Sequence, residues 1–140
     1  MVLFGFYIGQ DRKNVEKMVP QLGQGGTSLP DRDYYLKNDA RSVKIQEAFK
    51  KYIATLFELS GTSPADAKAH AETIYALEKS LASAQMGRVE MRDPYKTYNK
   101  LLWSDFQAKT PEINWNEQFK TLGVPSPDSI LVSAPAFFAE

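Results

Sequence analysis

The chain has 140 residues, enough for one domain that buries about two-thirds of its unfolded surface without covalent staples. Seventeen Lys and Arg balance seventeen Asp and Glu, and there is no cysteine. The neutral balance argues against nucleic acid as the main partner, and the missing thiols exclude a disulfide framework or a thiolate metal site.

Residues 2–8 carry Val, Leu, Phe, Phe, Tyr and Ile around Gly5, the composition of a strand. Asp11–Asn14 is a polar turn. Val15–Leu22 suits a short helical turn or a second strand equally. Gly23, Gly25 and Gly26 then permit backbone angles closed to other residues, and Pro30 keeps Leu29 out of helix. Gly23–Leu29 is therefore expected to be an irregular crossing, anchored by Leu29, Tyr34, Tyr35 and Leu36. Asp31 and Asp33 are placed to cap the next turn and hold Arg32 between them. A phosphate cradle is the functional alternative for the glycines, but no Gly-Lys-Ser/Thr follows and the spacing is not that of a dinucleotide fingerprint.

The first long helix is expected from Ala40 to Leu59, capped by Asn38 or Asp39. Its apolar stripe is Ile45, Phe49, Tyr52, Ile53, Leu56 and Leu59. Gly61 is a C-terminal cap. Ser63 caps the second helix and Pro64 opens it; its inward face is Ala67, Ala71, Ile74, Leu77, Leu81 and Ala84, and it ends near Gln85. The short connection between them predicts an antiparallel helix pair. Asp93-Pro94 predicts a third helix, with Tyr95, Tyr98, Leu101 and Leu102 as its apolar side. Ser104 is a candidate cap for a further turn. Asn114 caps a short helix, Trp115–Leu122, that stops at Gly123. Ser129–Val132 reads as a strand broken by Pro135. The expected fold is mainly α: one domain built on the antiparallel long-helix pair, with shorter helices and a small β element from the two end strands.

Candidate chemistry is sparse. Glu78 lies beside Ile74, Leu81 and Ala82. It reads either as a catalytic or ligand carboxylate or as a buried structural acid, and no second acid in register favours the first. Its expected partner is a basic or hydroxyl group, with Arg92 and Tyr98 the first candidates. His70 is the sole histidine and has no second ligand at helical spacing. No serine sits in a nucleophile elbow. No stretch has the length of a membrane span. Neither a signal peptide nor a terminal cap is visible, so the chain reads as an excised fragment.

Three motifs carry a family resemblance. The first is Gln24-Gly25-Gly26-Thr27-Ser28-Leu29-Pro30-Asp31-Arg32-Asp33-Tyr34-Tyr35. The second is Leu77-Glu78-Lys79-Ser80-Leu81-Ala82, and the third is Arg92-Asp93-Pro94-Tyr95-Lys96-Thr97-Tyr98-Asn99. With Leu3–Asn14 before them and Ile130–Phe137 after them, they resemble the neprilysin and endothelin-converting-enzyme family of zinc metallopeptidases, in its bacterial oligopeptidase branch. Thr27 departs from the leucine usual there. The resemblance implies a much longer parent whose zinc site, an HExxH helix with a downstream glutamate, lies in a C-terminal catalytic domain. It implies that this piece belongs to the helical N-terminal half facing that domain across a cavity, with peptides as the parent's substrates. It implies no catalytic group and no cofactor here, zinc in the parent, and a location outside the cytoplasm. The alternative from another class is a free-standing helical module that binds a peptide or protein.

Overall fold

The polar Asp11–Asn14 turn joins the strand-forming residues on its two sides into a hairpin. In the computed structural model, which describes residues 3–139, β1 (Phe4–Asp11) and β2 (Asn14–Gln24) pair antiparallel, with Phe6 opposite Leu22. Val15–Leu22 is thus strand, and β2 extends through the first of the glycines. Val2, assigned above to the first strand, lies outside the described residues.

The single domain expected from length divides into two compact units. One is Gly26–Gly87; the other comprises the chain on either side of it. In the first, α1 (Asp33–Leu36) is a single turn, followed by α2 (Ala40–Leu59) and α3 (Pro64–Ala84). Asp39 caps α2 by accepting from the backbone N–H groups of Arg41 and Ser42, and Ser63 caps α3 by accepting from Asp66 N–H. Gly61, at φ +95°, turns the chain between them in a conformation that costs a side chain dearly. The two long helices touch through a Lys50–Glu72 ion pair of 3.2 Å and through Phe57 on the ring of His70 at 5.0 Å. Buried Ala67 and Ala71 permit close approach. The core is aromatic: Tyr35 is fully buried, stacked on Tyr75 and edge-on to Phe49.

The second unit holds α4 (Arg88–Met91), β3 (Asn99–Leu102), α5 (Trp103–Lys109), α6 (Trp115–Thr121), β4 (Ser129–Val132) and α7 (Pro135–Ala139). Its sheet has four strands in the order β1-β2-β4-β3, with β2 and β4 parallel and β3 and β4 antiparallel. This corrects the small β element expected from the end strands. The helix expected after Asp93-Pro94 is also corrected. Asp93 does cap one turn, accepting from Tyr95 and Lys96 N–H. The Asn99 side chain then donates to the carbonyls of Lys96 and Val132, which stops the turn and starts β3. Leu101 packs into the core from β3, so tertiary burial overrides local helix signals. Ser104 caps nothing: α5 begins at Trp103 with no side-chain cap. Pro135 ends β4 and opens α7, where its missing N–H is no loss. The core gathers Leu22, Trp103, Phe106, Trp115, Phe119 and Ile130 between sheet and helices. About half of the chain is helical, so the fold is mainly α with a four-stranded sheet.

Candidate functional site

The first two motifs meet at Glu78. Its helix buries it among apolar side chains, where a carboxylate must be satisfied by hydrogen bonds. It is 1% exposed. Oε2 accepts from Ser28 N–H at 2.9 Å and from the Tyr35 hydroxyl; Oε1 accepts from the Ser28 hydroxyl at 2.7 Å. Tyr35 Oη in turn accepts from Leu29 N–H at 2.8 Å. Burial first, and then its bond to Glu78, hold the Tyr35 phenol above the ordinary tyrosine range. The partners are therefore hydroxyl and amide groups of the crossing, in place of Arg92 or Tyr98. A carboxylate with both oxygens so engaged presents no face to a substrate; it ties the crossing to α3.

The remaining residues of the first motif reinforce that tie. Gly26 takes φ +79°. A Cβ on Gly25 would come within 3.2 Å of the Leu3 carbonyl and of Phe4 Cα. Arg32 donates to the carbonyl of Gln85 instead of lying between its acidic neighbours. Asp31 accepts from Asp33 N–H, and Asp33 pairs with Lys37 at 2.7 Å. The Tyr34, Tyr35 and Lys37 carbonyls all accept from the amide of Gln46 on α2. Pro30 and Leu29 complete the crossing, Leu29 packing on the Tyr35–Tyr75 core. Thr27 accepts from the Gln85 amide at 3.4 Å, so the departure from leucine is used as a polar contact.

The third motif serves a second buried acid, Asp11, which composition marked only as part of a turn. Asp11 is 1% exposed. It accepts from Lys100 Nζ at 2.7 Å, from the Tyr98 hydroxyl at 2.8 Å and from Lys13 N–H at 2.9 Å. Arg12 donates to the Thr97 carbonyl at 2.6 Å, and both Arg12 and Lys13 lie over the Tyr98 ring. Asp93, Pro94 and Asn99 shape the turn that delivers Tyr98. Arg92 is exposed, its N–H donating to the Val89 carbonyl. The sequence signal for this cluster is an acid in a polar turn followed by two bases; the strand that supplies Lys100 lies in a stretch with local helix signals.

Lys100 first, then Lys13 N–H and the Tyr98 hydroxyl, hold the Asp11 carboxyl well below its ordinary value of 3.8. A carboxyl depressed on folding stabilises the fold while ionised. That contribution is complete above the unfolded carboxyl's range and is lost as pH falls through it toward the folded value. Asp11→Asn is therefore expected to flatten the acid fall in melting temperature below about pH 5. Identical slopes for the two proteins would show that the cluster contributes nothing.

Neither cluster fits a metal. Among the described residues no group of three or more His, Cys, Asp or Glu could hold an ion. Glu78 and Asp11 are each filled by donors, which leaves neither carboxylate open to an ion. What the three motifs build is two anchoring points.

A family model described as Peptidase family M13 matches residues 1–140. Among curated proteins, the endothelin-converting enzyme homolog of Locusta migratoria is 28% identical over 141 residues, covering 96% of this chain and 19% of its own length. Endothelin-converting enzyme 1 of Mus musculus is 32% identical over 123 residues, covering 87% of this chain and 16% of its own length. Among solved structures, the zinc metalloprotease Zmp1 of Mycobacterium tuberculosis in complex with inhibitor matches with TM-score 0.90 at 27% identity, over 99% of this chain and 21% of that one. Zmp1 in an open state matches with TM-score 0.89. PepO from Lactobacillus rhamnosis, at 22% identity and TM-score 0.84, shares the fold over 99% of this chain and 22% of its own. The chain thus spans about a fifth of the relatives it matches.

Proposed function

Because the chain belongs to peptidase family M13, within the neprilysin and endothelin-converting-enzyme group, we propose that it is a non-catalytic wall of the substrate cavity in a zinc metalloendopeptidase acting on peptides. In this reading the parent's zinc and its acid–base groups lie in a C-terminal catalytic domain of the same polypeptide. This segment restricts the size of substrate that reaches them. The parent works outside the cytoplasm; no helix among the described residues is long and apolar enough to cross a membrane. The observation that carries the reading is the use made of the motif residues. Those that most resemble the family hold the crossing to α3 and the turn to the hairpin, and the two buried acids at those points, Glu78 and Asp11, are occupied by donors. The short connection and direct contacts of α2 and α3 support reading them as an antiparallel pair that stiffens the wall.

A wall that admits substrate must move relative to the catalytic domain, as lids do. Zmp1 is described both in an open state and in a partial open state, which supports such motion here. The test is an engineered disulfide locking this segment against the catalytic domain in the full-length peptidase. The expected result is loss of peptide turnover that reducing agent restores, with zinc content unchanged. Full turnover in the locked closed form would refute control of access.

A further inference from the structure

The stripe on α2 is wider than its own unit covers. Phe49 and Ile53 face inward, but Tyr52 is 60% exposed, Leu56 48% and, on α3, Leu77 51%. An open groove of about 720 Å³ runs between the helices, with Phe49, Tyr52, Ile53, Leu56, Phe57 and Ile74 as its apolar lining. Its residues on α2 span from Phe49 to Phe57, about 12 Å of helix at about 1.5 Å per residue. The one ionisable group with a carboxylate in the lining is Glu78, whose oxygens are already occupied. Nothing else in the groove offers a charge to a polar ligand. A contiguous exposed apolar surface of this kind marks an interface, and its length along the helix suits the i, i+3, i+4 anchors of another apolar segment.

We infer that this groove is the seat of an apolar segment of the same polypeptide, drawn from outside these 140 residues. The inference rests on the reading that the chain works inside a longer peptidase. Two observations choose this occupant over a second copy or a substrate. The matched chains are about five times as long as this one, yet carry the same fold over 99% of it at TM-score 0.90, so this surface exists there beside much more of the same polypeptide. The groove also borders Ser28 and Leu29, the donors that serve Glu78 and Tyr35. A permanent cover keeps water from competing for those bonds, whereas a transient ligand would expose them in every cycle.

The test places a photo-crosslinking phenylalanine analogue at Tyr52 in the full-length peptidase, with the adducts mapped by mass spectrometry. The expected product is a crosslink within one molecule to a residue outside this chain. Crosslinks only between two copies, only to an added peptide substrate, or none at all would overturn the inference. A second measurement guards against a site that merely resists labelling. Leu56→Glu is expected to lower Tm of the full-length protein by about 5 °C; an unchanged Tm would also overturn it. Zinc content and peptide turnover of the labelled sample are read separately. Their loss alongside an intact crosslink would count against the cavity-wall reading only.

Discussion

Glu78→Ala is expected to remove about 3–5 kcal/mol of stability from the Gly26–Gly87 unit. Three donors lose their acceptor together: Ser28 N–H, the Ser28 hydroxyl and the Tyr35 hydroxyl. The buried Tyr35 hydroxyl costs about 1–3 kcal/mol when orphaned, the donors of exposed Ser28 cost less, and the cavity left by the side chain adds to both. For a unit of this size the melting temperature should fall by about 10 °C or more, followed by circular dichroism because the unit is largely helical. Two further variants separate the contributions. Tyr35→Phe removes one donor to Glu78 and orphans Leu29 N–H, so it should cost less than Glu78→Ala but be measurable. Ser28→Ala removes only the Oε1 bond and should cost less again. If Glu78→Ala melts within about two degrees of the parent chain, the carboxylate is not what holds the crossing.

Helix starts and stops were legible because each is written locally. Asp39, Ser63 and Asn114 cap the helices that follow them, each through a side chain accepting an N–H within three residues. The sheet was hardly legible. β3 has four residues and follows a capped turn that resembles a helix start, and only its ladder with β4 makes it a strand. β2 pairs β4 across more than a hundred residues, a contact that no local pattern encodes. The division into two units was hidden for a related reason: the sheet unit is assembled from both sides of the helical one. At the anchoring points, Glu78 stood out as an acid on an apolar helix face, but its partners are neighbours only in space. Asp11 carried less signal still, because Lys100 and Tyr98 reach it from far along the chain.

That spatial assembly makes Trp115 the side chain whose loss the sheet unit should feel most. Trp115 is 1% exposed and sits at the first position of α6. Its ring lies 5.3 Å from Phe4 of β1, 5.0 Å from Phe106 of α5 and 6.3 Å from Phe138 of α7, so one indole joins the neighbouring helix to both ends of the chain. Its Nε1–H donates to Thr110 Oγ1 at 2.8 Å, and that hydroxyl donates to the Phe106 carbonyl at 2.8 Å, closing the end of α5 onto the start of α6. Trp115→Ala therefore loses apolar burial, leaves a cavity and frees a buried hydroxyl at once, with an expected cost of about 3–5 kcal/mol. Trp115→Phe keeps most of the ring contacts but not the hydrogen bond, and should cost about 1–2 kcal/mol. Both of the chain's tryptophans lie in this unit, so in either variant the fluorescence of Trp103 alone reports its unfolding. Amide exchange in β1 should also speed up more at Phe4 than at Phe6, because Phe4 loses the ring it packs on while Phe6 keeps its contact with Phe119. A Trp115→Ala protein that keeps both its melting temperature and its β1 protection would mean that the aromatic cluster tolerates the cavity, and that the sheet unit is held chiefly by its strand pairing.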